Sequence, residues 1–455
     1  MSKHVKARLL ATALLVLPAV ALAAETAYPS TYTPVASGPV LVRNATVLTG
    51  TGQRLEGADV LMRGGRIAAV GTGLSTDGAT VVDGTGKWVT PGLIDVHSHL
   101  GVYPSPGASA HNDGNEITAP VTAQVWAEHG VWPQDPGFGA ALAGGVTTMM
   151  ILPGSANLIG GRGVVLRNVP ATTMQAMKFP DAPHGLKMAC GENPKRVYGG
   201  RGQAPMTRMG NLAGYRAAFA EAQKYRAAWD KYEAGKGDRK GGGEPPARDL
   251  RLDTLAGVLR GEITVQIHCY RADEMALMLD LAEEFGFKIA AFHHGVEAYK
   301  LADRLAREGV CGALWADWWG FKMEAYDGIQ ENIALVDRPE NGCAIVHSDS
   351  SEGIQRLNQE AAKVMARGER AGLSLPPERA IRWLTTNAAK AIGIADQTGS
   401  LEDGKRADLV LWNGNPFSVY AQAEKVWVDG ALLYDRGDKA RQPVTDFMLG
   451  QEVSP

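Results

Sequence analysis

Cysteine is scarce in this chain: its 455 residues hold four, Cys190, Cys269, Cys311 and Cys343, with no CxxC pair among them. That spacing excludes a motif built on paired cysteines. Each lies in or beside a segment that reads as an interior strand, so four buried thiols are expected, although an oxidising compartment would permit disulfides. Charge of one sign is also lacking, since 46 Lys and Arg stand against 49 Asp and Glu for a net charge of −3. Such a balance is not built for a phosphate backbone, and nucleic acid is not an expected partner. Beyond the first residues no apolar run is long enough to cross a bilayer. With 45% hydrophobic and 21% charged residues the composition is that of an ordinary globular protein and excludes disorder, collagen and coiled coil.

The amino terminus is the exception. Lys3, Lys6 and Arg8 precede the apolar run Leu9 to Leu17, and the small-residue pattern Ala21-Leu22-Ala23 follows. This is the pattern of a secretory signal peptide over residues 1–23, with cleavage near Ala23 and a periplasmic or secreted product. Three positive charges leave with it, taking the net charge from −3 to −6.

Short β-branched runs punctuated by glycine fill residues 38–89, and similar runs return over 398–440. The two ends are expected to pair into one small β-sandwich domain. Between them, over 90–397, strand-like runs alternate with helical stretches. Candidate strands end near His97, Leu152, Leu166, Ala189, His268, His293, Leu314 and His347. Eight of them suggest a closed barrel, so the expected class is α/β, a (β/α)8 TIM-type barrel with a small β-sandwich built from both ends of the chain. The polar, glycine-rich stretch Tyr225 to Arg248 reads as a surface insertion.

Chemistry concentrates at the strand ends. In Gly92-Leu93-Ile94-Asp95-Val96-His97-Ser98-His99 two imidazoles stand two residues apart, on one face of a strand. Each would need a polar partner in a core, whereas a divalent metal uses both lone pairs. His268, the pair His293-His294, and Asp349 each close or follow a further apolar run, at the end where barrels place their active sites. This mixture of nitrogen and oxygen ligands suits zinc, with manganese, iron or cobalt as alternatives.

The chain resembles the amidohydrolase superfamily of metal-dependent hydrolases. The match runs from about Leu41 to Tyr434 and rests on Val89-Thr90-Pro91-Gly92-Leu93-Ile94-Asp95-Val96-His97-Ser98-His99 and on the order of the later histidines and aspartate. Its style is nearest the imidazolonepropionase-like group. The resemblance implies metal ligands at His97, His99, His268, His294 and Asp349, one or two ions, and a bridge from either a carboxylated Lys187 or Glu192. It also implies metal-activated water as the nucleophile and Asp349 as the catalytic proton carrier. His293 and His347 would orient the substrate or the ligands. Arg196 and Arg271, with Lys195 nearby, would grip a carboxylate. Trp315, Trp318 and Trp319 would wall the pocket, and His111 and Asp113 would face it.

The expected function is hydrolysis of an amide-type C–N bond in a small molecule or short peptide. Deamination of a nitrogen heterocycle is the alternative, separated by release of ammonia. A periplasmic metal- or solute-binding protein without turnover is the third reading, disfavoured because Asp349 adds an acid-base group that storage does not need.

Overall fold

The computed structural model describes residues 28–105, 107–235, 244–318 and 320–442. The expected signal peptide, residues 1–23, lies outside the described residues. From the amino end come β1 (Val40–Leu48), β2 (Arg54–Arg63), β3 (Arg66–Gly71), β4 (Thr80–Asp83) and β5 (Trp88–Pro91). The central strands are β6 (Leu93–Ser98), β7 (Val146–Ile151), β8 (Ile159–Arg167), β9 (Gly185–Ala189), β10 (Thr264–His268), β11 (Ile289–His293), β12 (Cys311–Leu314) and β13 (Ala344–Val346). Last are β14 (Leu409–Trp412), β15 (Ala423–Val428) and β16 (Ala431–Asp435).

Both ends of the chain share one sheet, ordered β16-β15-β14-β5-β1-β2-β3 with β4 beside β1. They meet where β14 pairs antiparallel with β5, Val410 opposite Thr90. The inner side chains, among them Val42, Val47, Val60, Ile67, Leu409, Leu411 and Trp427, form a core of their own. The β2–β3 hairpin turns on Gly64 and Gly65, at φ 58° and 75°. A two-residue turn matching the strand twist needs positive φ at both positions, which glycine adopts without strain.

The central strands form a second sheet in sequence order, β6 through β13. β6, β7 and β9 are buried along their whole length, so they read as continuous apolar runs rather than alternating ones. The ring is nearly closed. Past its two ends the Asp349 amide donates to the His97 carbonyl at 3.1 Å, and the Ser348 amide to Asp95 Oδ1 at 3.2 Å.

Three expectations change. The barrel is not wholly parallel, because β8 runs antiparallel to both β7 and β9. Only residues 152–158 connect β7 to β8, and a parallel crossover needs about a dozen residues or more. The stretch beginning at Tyr225 is not loop as far as Gly235, since it continues the helix Arg208–Gly235. Tyr225 donates to Asp253 at 2.5 Å and Arg226 to the Leu259 carbonyl at 2.8 Å, fixing it to the next helix. Finally, the cysteines are buried but are not thiols. Cys190 is joined to Cys269 and Cys311 to Cys343, across Cα separations of 5.2 and 4.6 Å. The partners stand side by side because β9 neighbours β10 and β12 neighbours β13.

Candidate metal centre

His97 is the penultimate residue of β6 and His99 follows the strand directly. The end of β6 is pinned by the fully buried Asp95, whose oxygens accept from the His97 amide at 3.2 Å, the Ser348 amide and the Ser348 hydroxyl. Burial pushes the Asp95 pKa up against those donors. Sequence reasoning passed over Asp95, although it lies two residues before His97 on the same strand face.

The hydrogen bonds fix the state of the His97 ring. Gln266 donates its amide to the Ala391 carbonyl at 2.8 Å and to Thr264 at 3.2 Å, which leaves Oε1 as an acceptor for His293 Nε2 at 2.8 Å. His293 Nδ1 therefore carries a lone pair and accepts from His97 Nδ1 at 2.8 Å. His97 Nε2 is left with its own lone pair aimed at Lys187 Nζ, 3.2 Å away, and Asp349 Oδ1, 3.4 Å away. A relay of this kind is how metal-ligating histidines are held in one tautomer. His99 is set the same way: its Nδ1 donates to the Leu152 carbonyl at 2.8 Å, so a bare Nε2 faces Asp349 Oδ1 at 3.1 Å.

Two acceptors this close call for a cation between them. His97, His294 and Asp349 offer ligand atoms that all lie within 4.8 Å of one another. His294 Nδ1 and both nitrogens of His347 are buried without a hydrogen-bond partner, a costly arrangement for a merely structural cluster. Burial holds His97, His268, His293 and His294 far below the usual imidazole range and brings His347 to about 4. Neutral rings present the lone pairs that metal ligation uses. His294 and Asp349 adopt positive φ, 68° and 51°, a conformation uncommon outside glycine, which Asp and His enter more readily than most, and one concentrated at functional sites. The donor set fits a divalent ion.

The two candidate bridges separate. Lys187 is fully buried, touches His97, and has its pKa brought down to about 7 by burial, against the opposing charge of Asp349. Glu192 opens the helix Glu192–Gly199 and faces Lys322 Nζ at 3.5 Å. It is not among the grouped ligand atoms. His268 stands beside His294, with ring centres 4.8 Å apart. Its Nδ1 meets Ser155 Oγ at 2.9 Å and its Nε2 meets the Asn193 amide at 3.2 Å.

The chain is similar to several known proteins. The sequence pattern of the amidohydrolase family matches residues 341–434. A solved amidohydrolase from Thermotoga maritima is 38% identical, with 87% of this chain and all of that one covered at a TM-score of 0.79. The chain belongs to the amidohydrolase family. The amidohydrolase tasK of Hapsidospora irregularis is 33% identical over 433 residues, covering 87% of this chain but only 43% of its own, so the chain spans less than half of that relative. An imidazolonepropionase of Mesorhizobium japonicum is 26% identical over 75% of this chain and 81% of its own length.

For an amidohydrolase, the remaining expectations divide by position. Trp315 stacks on His294 at 4.3 Å between ring centres, and His347 lies 4.8 Å from the same ring, so both belong to the cluster. His293 is not available to a substrate, because it is fully buried and both its nitrogens are engaged with His97 and Gln266. Arg271 turns outward onto Asp273 at 2.7 Å. Arg196 and Asp113 are exposed, as is His111, whose ring rests on Trp132. Lys195 is half-buried on the Arg196 helix. Trp318 stacks on Trp315 at 5.1 Å, while Trp319 lies outside the described residues.

Proposed function

We propose that the chain is an exported, metal-dependent hydrolase of an amide-type C–N bond in a small molecule or short peptide. The observation that carries this reading is the group His97, His294 and Asp349, its two imidazoles buried and its carboxylate half-buried, with unpartnered imidazole nitrogens beside it. His97, His99, His294 and Asp349 would hold a divalent ion such as zinc, with His268 and Lys187 adjoining for one or two ions. When bound, such an ion activates water at neutral pH and polarises a carbonyl.

The side chains supply the rest. Burial alone would raise the pKa of Asp349, but a proton or cation shared with His99, with His347 and Lys187 nearby, holds it below the ordinary carboxylate range. Ionised at neutral pH, Asp349 accepts the proton from the attacking water and returns it to the leaving nitrogen. Burial that brings the Lys187 pKa to about 7 would let its neutral amine add carbon dioxide with release of a proton, and the resulting carbamate would supply an anion for two ions. Two disulfides and the amino-terminal pattern support export, because disulfides persist in oxidising compartments.

The test is Asp349→Asn assayed against dipeptides, N-acyl amino acids and cyclic ureides, with metal content measured alongside. The expected result is a fall in kcat of at least about 10²-fold. Unchanged kcat in the metal-loaded variant removes Asp349 from the reaction. Ammonia as the product from a heterocycle, with no amide cleaved, replaces the reading by deamination.

A further inference from the structure

At the mouth of the barrel one cation stands where the expected arginines do not. Lys322, in the loop after β12, donates to Asn193 Oδ1 at 3.1 Å, and the Asn193 amide in turn donates to His268 Nε2 at 3.2 Å. Its ammonium lies 4.1 Å from the centre of the Tyr270 ring. Its side chain is only 18% exposed, and that burial lowers its pKa. A partly desolvated ammonium interacts with an anion more strongly than one in bulk water.

Among the described residues its bonding is incomplete. An ammonium has three donors; one is spent on Asn193, and the pairing with Glu192 at 3.5 Å is longer than a charge-assisted hydrogen bond. Other cations of the surface, such as Arg271 with Asp273 and Arg304 with Asp280, are closed at 2.7 Å. Beside Lys322 the rim leaves large rings uncovered: Phe321 is 55% and Trp318 42% exposed. These two flank Trp315, at 5.8 and 5.1 Å between ring centres, and Trp315 lies on His294. An apolar wall with one convergent cation is the lining of a small-molecule site.

We infer that Lys322 anchors the free carboxylate of the substrate, whose apolar side chain lies against Trp318 and Phe321. The substrate class is then an N-acyl amino acid or short peptide with an apolar terminal residue and a free α-carboxylate. This rests on the amide-hydrolase reading above and adds the subsite. Glu192 is the resident anion that the carboxylate competes with, so it opposes binding instead of assisting it.

The experiment measures binding by tryptophan fluorescence, using N-acetyl-L-phenylalanine and its primary amide as probes, with each protein's melting temperature recorded as a check on folding. In the parent the acid is expected to bind at least about 10-fold more tightly than the amide, the range of a hydrogen bond to a charged group. Lys322→Gln should abolish that preference, Lys322→Arg should keep most of it, and Glu192→Gln should tighten the acid several-fold. Equal affinity for acid and amide in the parent overturns the anchor, as does undiminished acid binding in a folded Lys322→Gln or the absence of saturable acid binding at about millimolar concentration. A merely structural Lys322–Glu192 pair would make the Gln variants move affinity in the same direction, which also overturns it. Hydrolysis is assayed separately: the acid preference without cleavage of any amide leaves the anchor standing and removes the hydrolase reading, whereas cleavage without the preference does the reverse.

Discussion

Two buried polar clusters lie on the same barrel and are completed in opposite ways. At the seam with the composite sheet, the fully buried Arg167 at the end of β8 donates to Asp408 through both terminal nitrogens, to Thr148 at 2.9 Å, and pairs with Asp429 at 3.1 Å. Asp408 also accepts from Thr398, and Asp429 from Tyr32 and Arg406. Charge is balanced by protein groups there, although Arg167 Nε is left without a hydrogen-bond partner. At the strand-end cluster, imidazole nitrogens are left without partners and acceptors face acceptors. The first pattern fastens two sheets together, and the second leaves lone pairs free to hold a bound ion.

The largest effect is expected at the seam. Arg167→Met leaves Asp408 and Asp429 buried with less compensation, and a loss of about 3–5 kcal/mol of stability is expected in denaturant unfolding. A loss within experimental error would deny the seam its structural role. Asp408 also sets an acid limit: burial raises its pKa, but Arg167 outweighs this and holds it below the ordinary range. Its share of stability is therefore present above the unfolded carboxylate value of about 4 and is lost as pH falls through the lowered folded value. Arg167→Met should flatten that acid-side decline in melting temperature; an unchanged slope would assign the decline to other carboxylates.

A smaller effect tests the relay under the cluster. Gln266→Leu removes the acceptor that orients His293 and, through it, His97, so metal affinity should fall about 10- to 100-fold while melting of the metal-free protein shifts much less. Equal affinity in variant and parent would mean that the His97 tautomer is set without Gln266.

The sequence made the cluster legible because its signal is local. His97 and His99 share a strand face at a spacing of two, and His268, His294 and Asp349 each follow an apolar run. The meeting of both chain ends was equally readable, as glycine-punctuated runs that β5 and β14 join. What escaped depends on neighbours remote in the chain. The disulfides join residues 79 and 32 apart in sequence, brought together only by strand order. The reversed β8 shows in the length of one connection rather than in composition. Gln266 looks like an ordinary strand residue until its contact with His293 is seen, and Lys322 sits in a loop whose path no periodicity describes.

Completion of the strand-end cluster by a divalent metal is read out by elemental analysis of the purified protein. The parent is expected to carry one or two divalent ions per chain. Lys187→Ala should lose metal if Lys187 is the bridge, while Glu192→Gln, whose carboxylate faces Lys322, should retain it. Loss in Glu192→Gln with retention in Lys187→Ala would exchange the two roles, and retention in both would favour a single ion held without a bridge. Metal-free parent protein that still hydrolyses its substrate after chelation would contradict the account.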